Sequence, residues 1–328
     1  MNNFDLVSIG DASFDVFIAP TEHEAFCTLD REKCLICFNY ADKIPVEEIY
    51  FTLGGNAANN AVGCTRLGVR AVILVTVGQD KTGERIIESL KQDGVDTSFI
   101  RQQPDCITNY NTAVMYNGER TIFTYHAPYD YEFPENPPVA PWAYLTSMGR
   151  GFEVYYERMI EWARANTVKI VFNPGSYQMR AGIDALRNLF PLLEIIFVNK
   201  EEAAKFLGDK VSQDEKQMLL GLVQLGVKKA VITDGANGAF GFDGQKYYRS
   251  TVFPVDAYER TGAGDSFASG CLAAMIQGRG MDEALLWGTI NSASVIGHIG
   301  PQAGLLKKEQ LPEWLERARS SGVKVEEF

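Results

Sequence analysis

The chain has 328 residues, 46% hydrophobic and 22% charged, with a formal net charge of −11. This is the composition of a globular protein that can bury a substantial core. Its acidity argues against nucleic acid as a partner, because phosphate backbones select basic surfaces, although a nucleotide needs only a local positive site. No apolar run approaches the roughly 18 residues of a membrane span. Met1-Asn2-Asn3-Phe4-Asp5 has no basic start leading into a long apolar core, so a cytoplasmic protein without a membrane partner is expected. The length is compatible with about two domains or with one large α/β unit.

In chain order, Leu6-Val7-Ser8-Ile9-Gly10 is a short apolar run ending in glycine, the pattern of a buried strand. Residues 14–52 then hold short strand-like pieces, Phe14-Asp15-Val16-Phe17-Ile18 and Glu48-Ile49-Tyr50-Phe51. Between them lie His23, Cys27, Cys34 and Cys37, which read either as soft metal ligands or as small apolar residues of a strand over 34–38. The segment lacks a second C-x-x-C or a histidine pair, which favours the strand. Further strands are expected at 71–77, 143–147, 169–172, 195–198 and 230–233. Helices are expected at 82–92, 154–165, 201–207, 215–225 and 266–276. Alternating strands and helices imply a mainly parallel sheet covered on both faces, with ligands beyond the carboxyl ends of its strands. Residues 109–126 read as a hairpin around Asn117-Gly118, and with 14–52 they form a small sheet standing off the main one as a lid. A lid excludes water from a reacting group. Asn237-Gly238 and Asp243-Gly244 mark further tight turns, and the Pro-rich stretch 133–141 is the exit from the lid.

Two stretches carry chemistry. In Gly54-Gly55-Asn56-Ala57-Ala58-Asn59-Asn60, two glycines before a helix of small residues bring the backbone close to something. Asn56 and Asn59 share one helical face, and amides that both donate and accept suit a polyhydroxylated ligand. Simple capping is the structural alternative. In Glu259-Arg260-Thr261-Gly262-Ala263-Gly264-Asp265-Ser266-Phe267, three small residues precede a carboxylate at a helix start. Unpaired amides and the positive helix end attract an anion there. A carboxylate beside an anion hole is suited to take a proton, so Asp265 with the amides of Gly262, Ala263 and Gly264 fits phosphoryl transfer to a hydroxyl. A glycine turn with Asp265 as a cap is the alternative.

Both stretches, in this order, resemble the two signatures of the ribokinase, or PfkB, family of carbohydrate kinases, and the resemblance covers nearly the whole chain. It implies one ribokinase-like unit over 1–328. This is a doubly wound α/β fold with a mainly parallel sheet flanked by helices, and a β-sheet lid formed by about 14–52 and 109–126. It implies an ATP-dependent kinase that phosphorylates a primary hydroxyl of a small sugar or sugar derivative. The resemblance gives Asp265 the role of base, the amides of 262–264 that of anion hole, and Asp15, Gly55, Asn56 and Asn59 that of acceptor binding. Asp15 would accept protons from a vicinal diol. Asn199 and Glu202 match the family's Asn-x-x-Glu, expected to hold Mg2+ beside the nucleotide through water; a helix cap is their alternative reading. Thr233, Gly235 and Gly238 match the nucleotide loop, and Asn291 and the 300–304 segment match the adenine-flanking part.

Glu259-Arg260 stands where the family has Asp-Thr. This leaves open whether a monovalent cation such as potassium activates the enzyme, and whether Arg260 replaces its charge, contacts the phosphate or is an exposed loop residue. A lid of this kind shapes the acceptor pocket and can pair between subunits, so a homodimer is compatible. Tyr40, Tyr50, Phe51, Tyr110 and Tyr125 keep open a nucleoside kinase on the same fold. The alternative of another class is a catalytically silent binding or scaffold member; the intact Gly-Ala-Gly-Asp core argues against it.

Overall fold

The structure is a computed structural model that describes all residues except 1–2, 22–24, 31–32, 117–118, 209–213 and 257, and excepting the side chains of 26–30 and 33–34. Leu6–Gly10 and Ala71–Gly78 are buried at every position. Such runs, apolar on both faces, are stable only where both sides of a sheet are covered. They lie within a ten-stranded sheet in the order Val325–Glu327, Tyr247–Ser250, Ala239–Phe242, Ala230–Thr233, Leu193–Asn199, Lys169–Phe172, Trp142–Leu145, Leu6–Gly10, Ala71–Gly78, Arg101–Gln103. The seven strands from Ala230–Thr233 to Arg101–Gln103 run parallel, and the three at the other edge pair antiparallel.

Side-chain alternation divides the interior into two cores. Leu6, Ile73, Tyr144 and Ile195 pack with the helices Asn56–Arg66, Lys81–Gln92, Ala263–Ile276 and Met281–Ile296. Val7, Val72, Ala143 and Ile196 pack with Phe152–Ala165, Lys200–Leu207 and Glu215–Gln224 on the other face. The expected strands and helices are all present, mostly within one or two residues of their expected ends. Among the helices the largest boundary difference is at Ala263–Ile276, which begins three residues before the expected 266 and so brings the glycine run into its first turn. Met281–Ile296 was not expected. It buries Leu285, Trp287, Ile290 and Val295 around most of its circumference, so it lacks the one-sided stripe that periodicity detects.

A second sheet stands apart in the order Val46–Gly54, Ser13–Pro20, Tyr110–Tyr116, Glu119–Tyr125. Its strand pieces come from the two regions that break the βα rhythm. The Asn117-Gly118 turn lies outside the described residues. Phe26–Asp30 and Lys33–Cys37 form a separate antiparallel pair, so Cys34 and Cys37 do lie on a strand. His23 and the side chains of Cys27 and Cys34 are outside the described residues, and Cys37 is a free, half-buried thiol. Among the described residues no helix is long and apolar enough to cross a membrane.

The helix carrying Asp265 is seated by two glycines. A Cβ at Gly270 would lie 2.7 Å from the Trp287 carbonyl oxygen, and one at Gly288 would lie 2.5 Å from Cys271 Sγ. The two helices therefore touch backbone to backbone. Overpacking such a contact costs about 1–3 kcal/mol. Gly270→Val is expected to lower the unfolding free energy by about that much in a urea titration. An unchanged midpoint would mean that the helix pair is not held this closely.

Candidate active site

The carboxyl ends of four parallel strands converge on one cavity of about 330 Å3. Asp11 follows Leu6–Gly10, Ser147 follows Trp142–Leu145, Gly175 follows Lys169–Phe172, and Glu202 follows Leu193–Asn199. The chain leaves Leu6–Gly10 for Ala71–Gly78 on one side and returns to Trp142–Leu145 on the other. The cavity thus opens where the strand order reverses, the usual ligand position in open α/β sheets. Its opposite wall is one face of the small sheet, which contributes Asp15, Phe17, Asn111, Ala113, Ile122 and Thr124.

The paired glycines come close to the chain itself. A Cβ on Gly54 would lie 2.1 Å from Asp15 Oδ2, and one on Gly55 would lie 2.5 Å from the Asp11 carbonyl and from Ala12 Cα. Gly55 also has φ +90°, which side chains rarely adopt. Asp15 is buried, and its Oδ1 accepts from Ser13 Oγ at 2.8 Å and Asn111 Nδ2 at 2.7 Å. Asn56 and Asn59 begin the following helix and line the same cavity. Asn59 Nδ2 donates to Asp265 Oδ2 at 2.8 Å, and Gln302 Nε2 donates to Asn59 Oδ1 at 2.9 Å. This chain of bonds fixes the amide so that its donor faces the carboxylate.

Asp265 lies in the first turn of Ala263–Ile276. Gly262 caps that helix in the left-handed conformation at φ +77°, and a Cβ there would lie 2.4 Å from Pro301 Cβ. No side chain caps this helix start. Ser266 N–H donates to the Gly262 carbonyl at 2.8 Å, and Ala263 N–H makes a longer turn bond to Arg260 O at 3.3 Å. A second cavity of about 170 Å3 lies against the same turn and takes in Ala263, Gly264 and Phe267. Thr233, Gly235 and Gly238 line it from the sheet, and Val252, Phe253, Thr289, Ala293 and Ile296 complete it. One helix start therefore borders both cavities, with Thr261, Gly262 and Asp265 on the larger and Ala263 and Gly264 on the smaller.

Four carboxylates line the larger cavity: Asp11, Asp15, Glu202 and Asp265. Burial pushes the Asp265 carboxyl up to about 6, with Glu202 and Asp15 adding repulsion and the Asn59 amide opposing. Burial raises Asp15 and Glu202 as well, and takes Asp11 to about 7. Asp11 is 4% exposed. It accepts from Tyr131 OH at 3.2 Å, while its Oδ2 has no hydrogen-bond partner and lies 3.7 Å from His126 Nδ1. Burial and the nearby Arg180 hold His126 below the ordinary imidazole value.

Asn199, Asn291 and Arg260 lie outside the lining of both cavities. Asn199 is the cap of Lys200–Leu207, accepting from Glu202 N–H at 2.8 Å while its own N–H donates to Glu202 Oε2 at 2.9 Å. Glu202 lines the cavity and Asn199 does not. Asn291 is buried and braces the helices. Its Nδ2 donates to Ser266 O at 2.7 Å and Ser269 Oγ at 3.2 Å, and its Oδ1 accepts from Leu306 N–H at 2.9 Å. It lines neither cavity. Arg260 is exposed at the rim. Of the aromatic residues that kept a stacking site open, Tyr125 lines the cavity, Tyr40 is fully exposed, and Phe51 and Tyr110 pack on Phe14. Asp11, Asn111 and His126 were not singled out in the sequence, and Gln302 was named only within the 300–304 segment, matched to the adenine-flanking part, whereas it bonds Asn59. Asp11 alone left a signal, a second carboxylate directly after the first strand.

The pfkB family carbohydrate kinase model matches residues 5–308. The chain belongs to the pfkB family of carbohydrate kinases. It is 26% identical over 277 residues to the ribokinase of Haemophilus influenzae, covering 81% of this chain and 88% of that protein. It is 29% identical over 289 residues to the aminoimidazole riboside kinase of Salmonella typhimurium, covering 82% and 88%. The solved structure of Arabidopsis thaliana ribokinase complexed with ribose and ATP superposes with a TM-score of 0.78 at 18% identity, covering 96% of this chain and 99% of that one. The fold and the reaction class, ATP-dependent phosphoryl transfer, are those of this pfkB family.

A raised carboxyl has two consequences. Between the ordinary carboxylate value and about 6, the folded chain keeps a proton that the unfolded chain has released. The stability contributed by Asp265 is therefore present below that window and lost as pH rises through about 6. Removing the charge should relieve the repulsion, so Asp265→Asn is expected to melt no lower than the parent at pH 8 while turnover falls by about 10²–10⁴-fold. Parent turnover should fall towards acid below about pH 6. Thermal melts and pH–rate profiles check both, and near-normal turnover of the variant would remove Asp265 from the chemistry.

Proposed function

We propose that the chain transfers the γ-phosphoryl group of ATP to a primary hydroxyl of a small, uncharged sugar or sugar derivative. The observation that carries this reading is the single uncapped helix start shared by the two cavities, with a half-buried carboxylate on one side and the glycine run on the other. In this reading the larger cavity holds the acceptor and the smaller one the nucleotide, its base against Val252, Phe253 and Ile296.

The acceptor hydroxyl lies against Asp265, which takes its proton as the oxygen attacks phosphorus. Asn59, itself oriented by Gln302, keeps one oxygen of that carboxylate occupied and leaves the other for the incoming proton. Amides of the helix start stabilise charge on the phosphoryl oxygens without rearrangement. Asp15, held by Ser13 and Asn111, accepts hydroxyl protons from the acceptor, as does Asn56. The four-stranded sheet above acts as a lid that keeps water from the transfer. Glu202 is the carboxylate suited to Mg2+; one carboxylate with waters and phosphate oxygens meets the preference of that ion. When bound, Mg2+ neutralises charge on the nucleotide phosphates. Both side chains serve the capping box, but only Glu202 lines the cavity, which favours Glu202 as the ligand of this pair.

Charge narrows the acceptor class. Among the described residues the cavity has four carboxylates and no lysine or arginine in its lining. One negative charge on a ligand about 5 Å from one carboxylate is opposed by about 3 kcal/mol at an effective dielectric constant of about 20, roughly 100-fold in affinity. A second reading, a nucleoside acceptor, is supported by Tyr125 and Tyr177 in the lining, two rings on which a base can stack. ADP release in a panel of ribose, fructose, fructose 6-phosphate, adenosine and inosine tests both. Turnover is expected with an unphosphorylated sugar, at least about 100-fold above the phosphate ester in kcat/KM. Preference for a nucleoside would select the second reading, and activity confined to the phosphate ester would overturn the charge argument. No ADP release with any acceptor would leave a silent binding member.

A further inference from the structure

Two dipeptides of the same composition meet across the site. Glu119-Arg120 opens the outer strand of the small sheet, and Glu259-Arg260 leads into the glycine run. Arg120 Nε lies 3.2 Å from Glu259 Oε1, and Arg260 Nη1 lies 3.4 Å from Glu119 Oε1. The two contacts are crossed rungs of opposite polarity, which fixes which strand end can meet which loop end.

The rungs are not equivalent. Arg260 and Glu119 have side chains 62% and 69% exposed, whereas Arg120 and Glu259 are 25% and 5% exposed. Exposed pairs contribute little, while loss of one partner from a buried pair strands the other charge. Glu259 also shapes the loop directly: its Oε1 accepts from Thr261 N–H at 2.7 Å and from Thr261 Oγ1 at 2.6 Å. Its own N–H donates to Ile296 O at 3.1 Å, anchoring the loop to the helix Met281–Ile296. Thr261 directly precedes the left-handed Gly262 cap. The Arg120 contact is a charge contact only. Arg120 Nε and Glu259 Oε2 are buried without hydrogen-bond partners, so Glu259 is held by its two Thr261 bonds at Oε1 and is offset in charge by the guanidinium.

We infer that Arg120 is a positioning residue that latches the small sheet to the phosphate loop through Glu259 and Thr261. Two residues on along the same strand, Ile122 lines the acceptor cavity, followed by Thr124, so a ligand that seats this strand also seats Arg120. Lid position and the orientation of the anion hole thereby become one coupled state. Withdrawal of the strand leaves Glu259 buried without its counter-charge and loosens the Thr261 turn. The latch rests on the kinase reading for its catalytic consequence but not for its structural one.

The test has two arms. Hydrogen exchange over residues 259–266 needs no substrate. Arg120→Met is expected to raise exchange there at least tenfold, Arg120→Lys to raise it less, and Arg260→Ala to leave it within twofold. In turnover with the best acceptor of the sugar panel, Arg120→Met is expected to lower kcat at least tenfold with the KM for ATP within threefold. Arg120→Lys should recover part of the loss. An Arg120→Met/Glu259→Gln double variant should lose no more than the worse single one, because the two act through one contact. Unchanged exchange in a folded Arg120→Met overturns the latch, as do losses that multiply in the double variant. Altered exchange with no kinase activity in any form would keep the structural coupling and remove only the kinase reading.

Discussion

The site depends on one hydrogen bond between two helix starts that are 206 residues apart in the chain, Asn59 Nδ2 to Asp265 Oδ2. Each helix begins with a glycine at positive φ, Gly55 and Gly262, and neither has a side-chain cap. No side chain covers either amide end, although Ala57 N–H donates to the Asp11 carbonyl at 3.2 Å and Ala263 N–H to Arg260 O at 3.3 Å. A half-buried carboxylate there is costly without a donor, and the Asn59 amide supplies one while Gln302 holds that amide in place. The arrangement still leaves Asp265 raised to about 6. That value is close to what proton transfer near neutral pH requires, and it exists because the site accepts electrostatic strain.

Around that bond the molecule divides its tasks between rigid and movable parts. The parallel sheet and the close glycine contact of Ala263–Ile276 with Met281–Ile296 hold Asp265 and the glycine run fixed to the core. The four-stranded sheet holds Asp15 and Asn111 over the cavity and has no comparable core of its own. Its outer face leaves Ile49, Phe51 and Phe123 more than half exposed. Its attachment to the loop before the glycine run is by charge, through Arg120 and Glu259. A polar attachment is compatible with opening and closing in a way that an apolar core contact is not.

Much of this was legible in the sequence because it is local. Alternation of apolar runs marked the strands, and glycine runs before small-residue helices marked both helix starts with Asp265, Gly55, Asn56 and Asn59. What escaped depends on contacts between distant segments. Met281–Ile296 has no polar face, so no periodic stripe announces it. Asn291 looks from its place in the chain like a ligand contact, yet its three hydrogen bonds go to two backbone groups and to the Ser269 hydroxyl. Asn199 and Glu202 carried two readings at once: the capping box uses both side chains, and only Glu202 also lines the cavity. Glu259-Arg260 was an unexplained departure until its partner dipeptide, Glu119-Arg120, was seen opposite it. Pairings of that kind cannot be read from one segment alone.

The central claim is that one helix start serves two ligands. A crystal structure with a non-hydrolysable ATP analogue and the preferred sugar tests it most directly. The account predicts the γ-phosphorus at the amides of the glycine run, the base beside Phe253, and a sugar hydroxyl within about 3 Å of Asp265 and in line with that phosphorus. A sugar bound away from Asp265, or a nucleotide whose phosphates avoid the start of Ala263–Ile276, would contradict it.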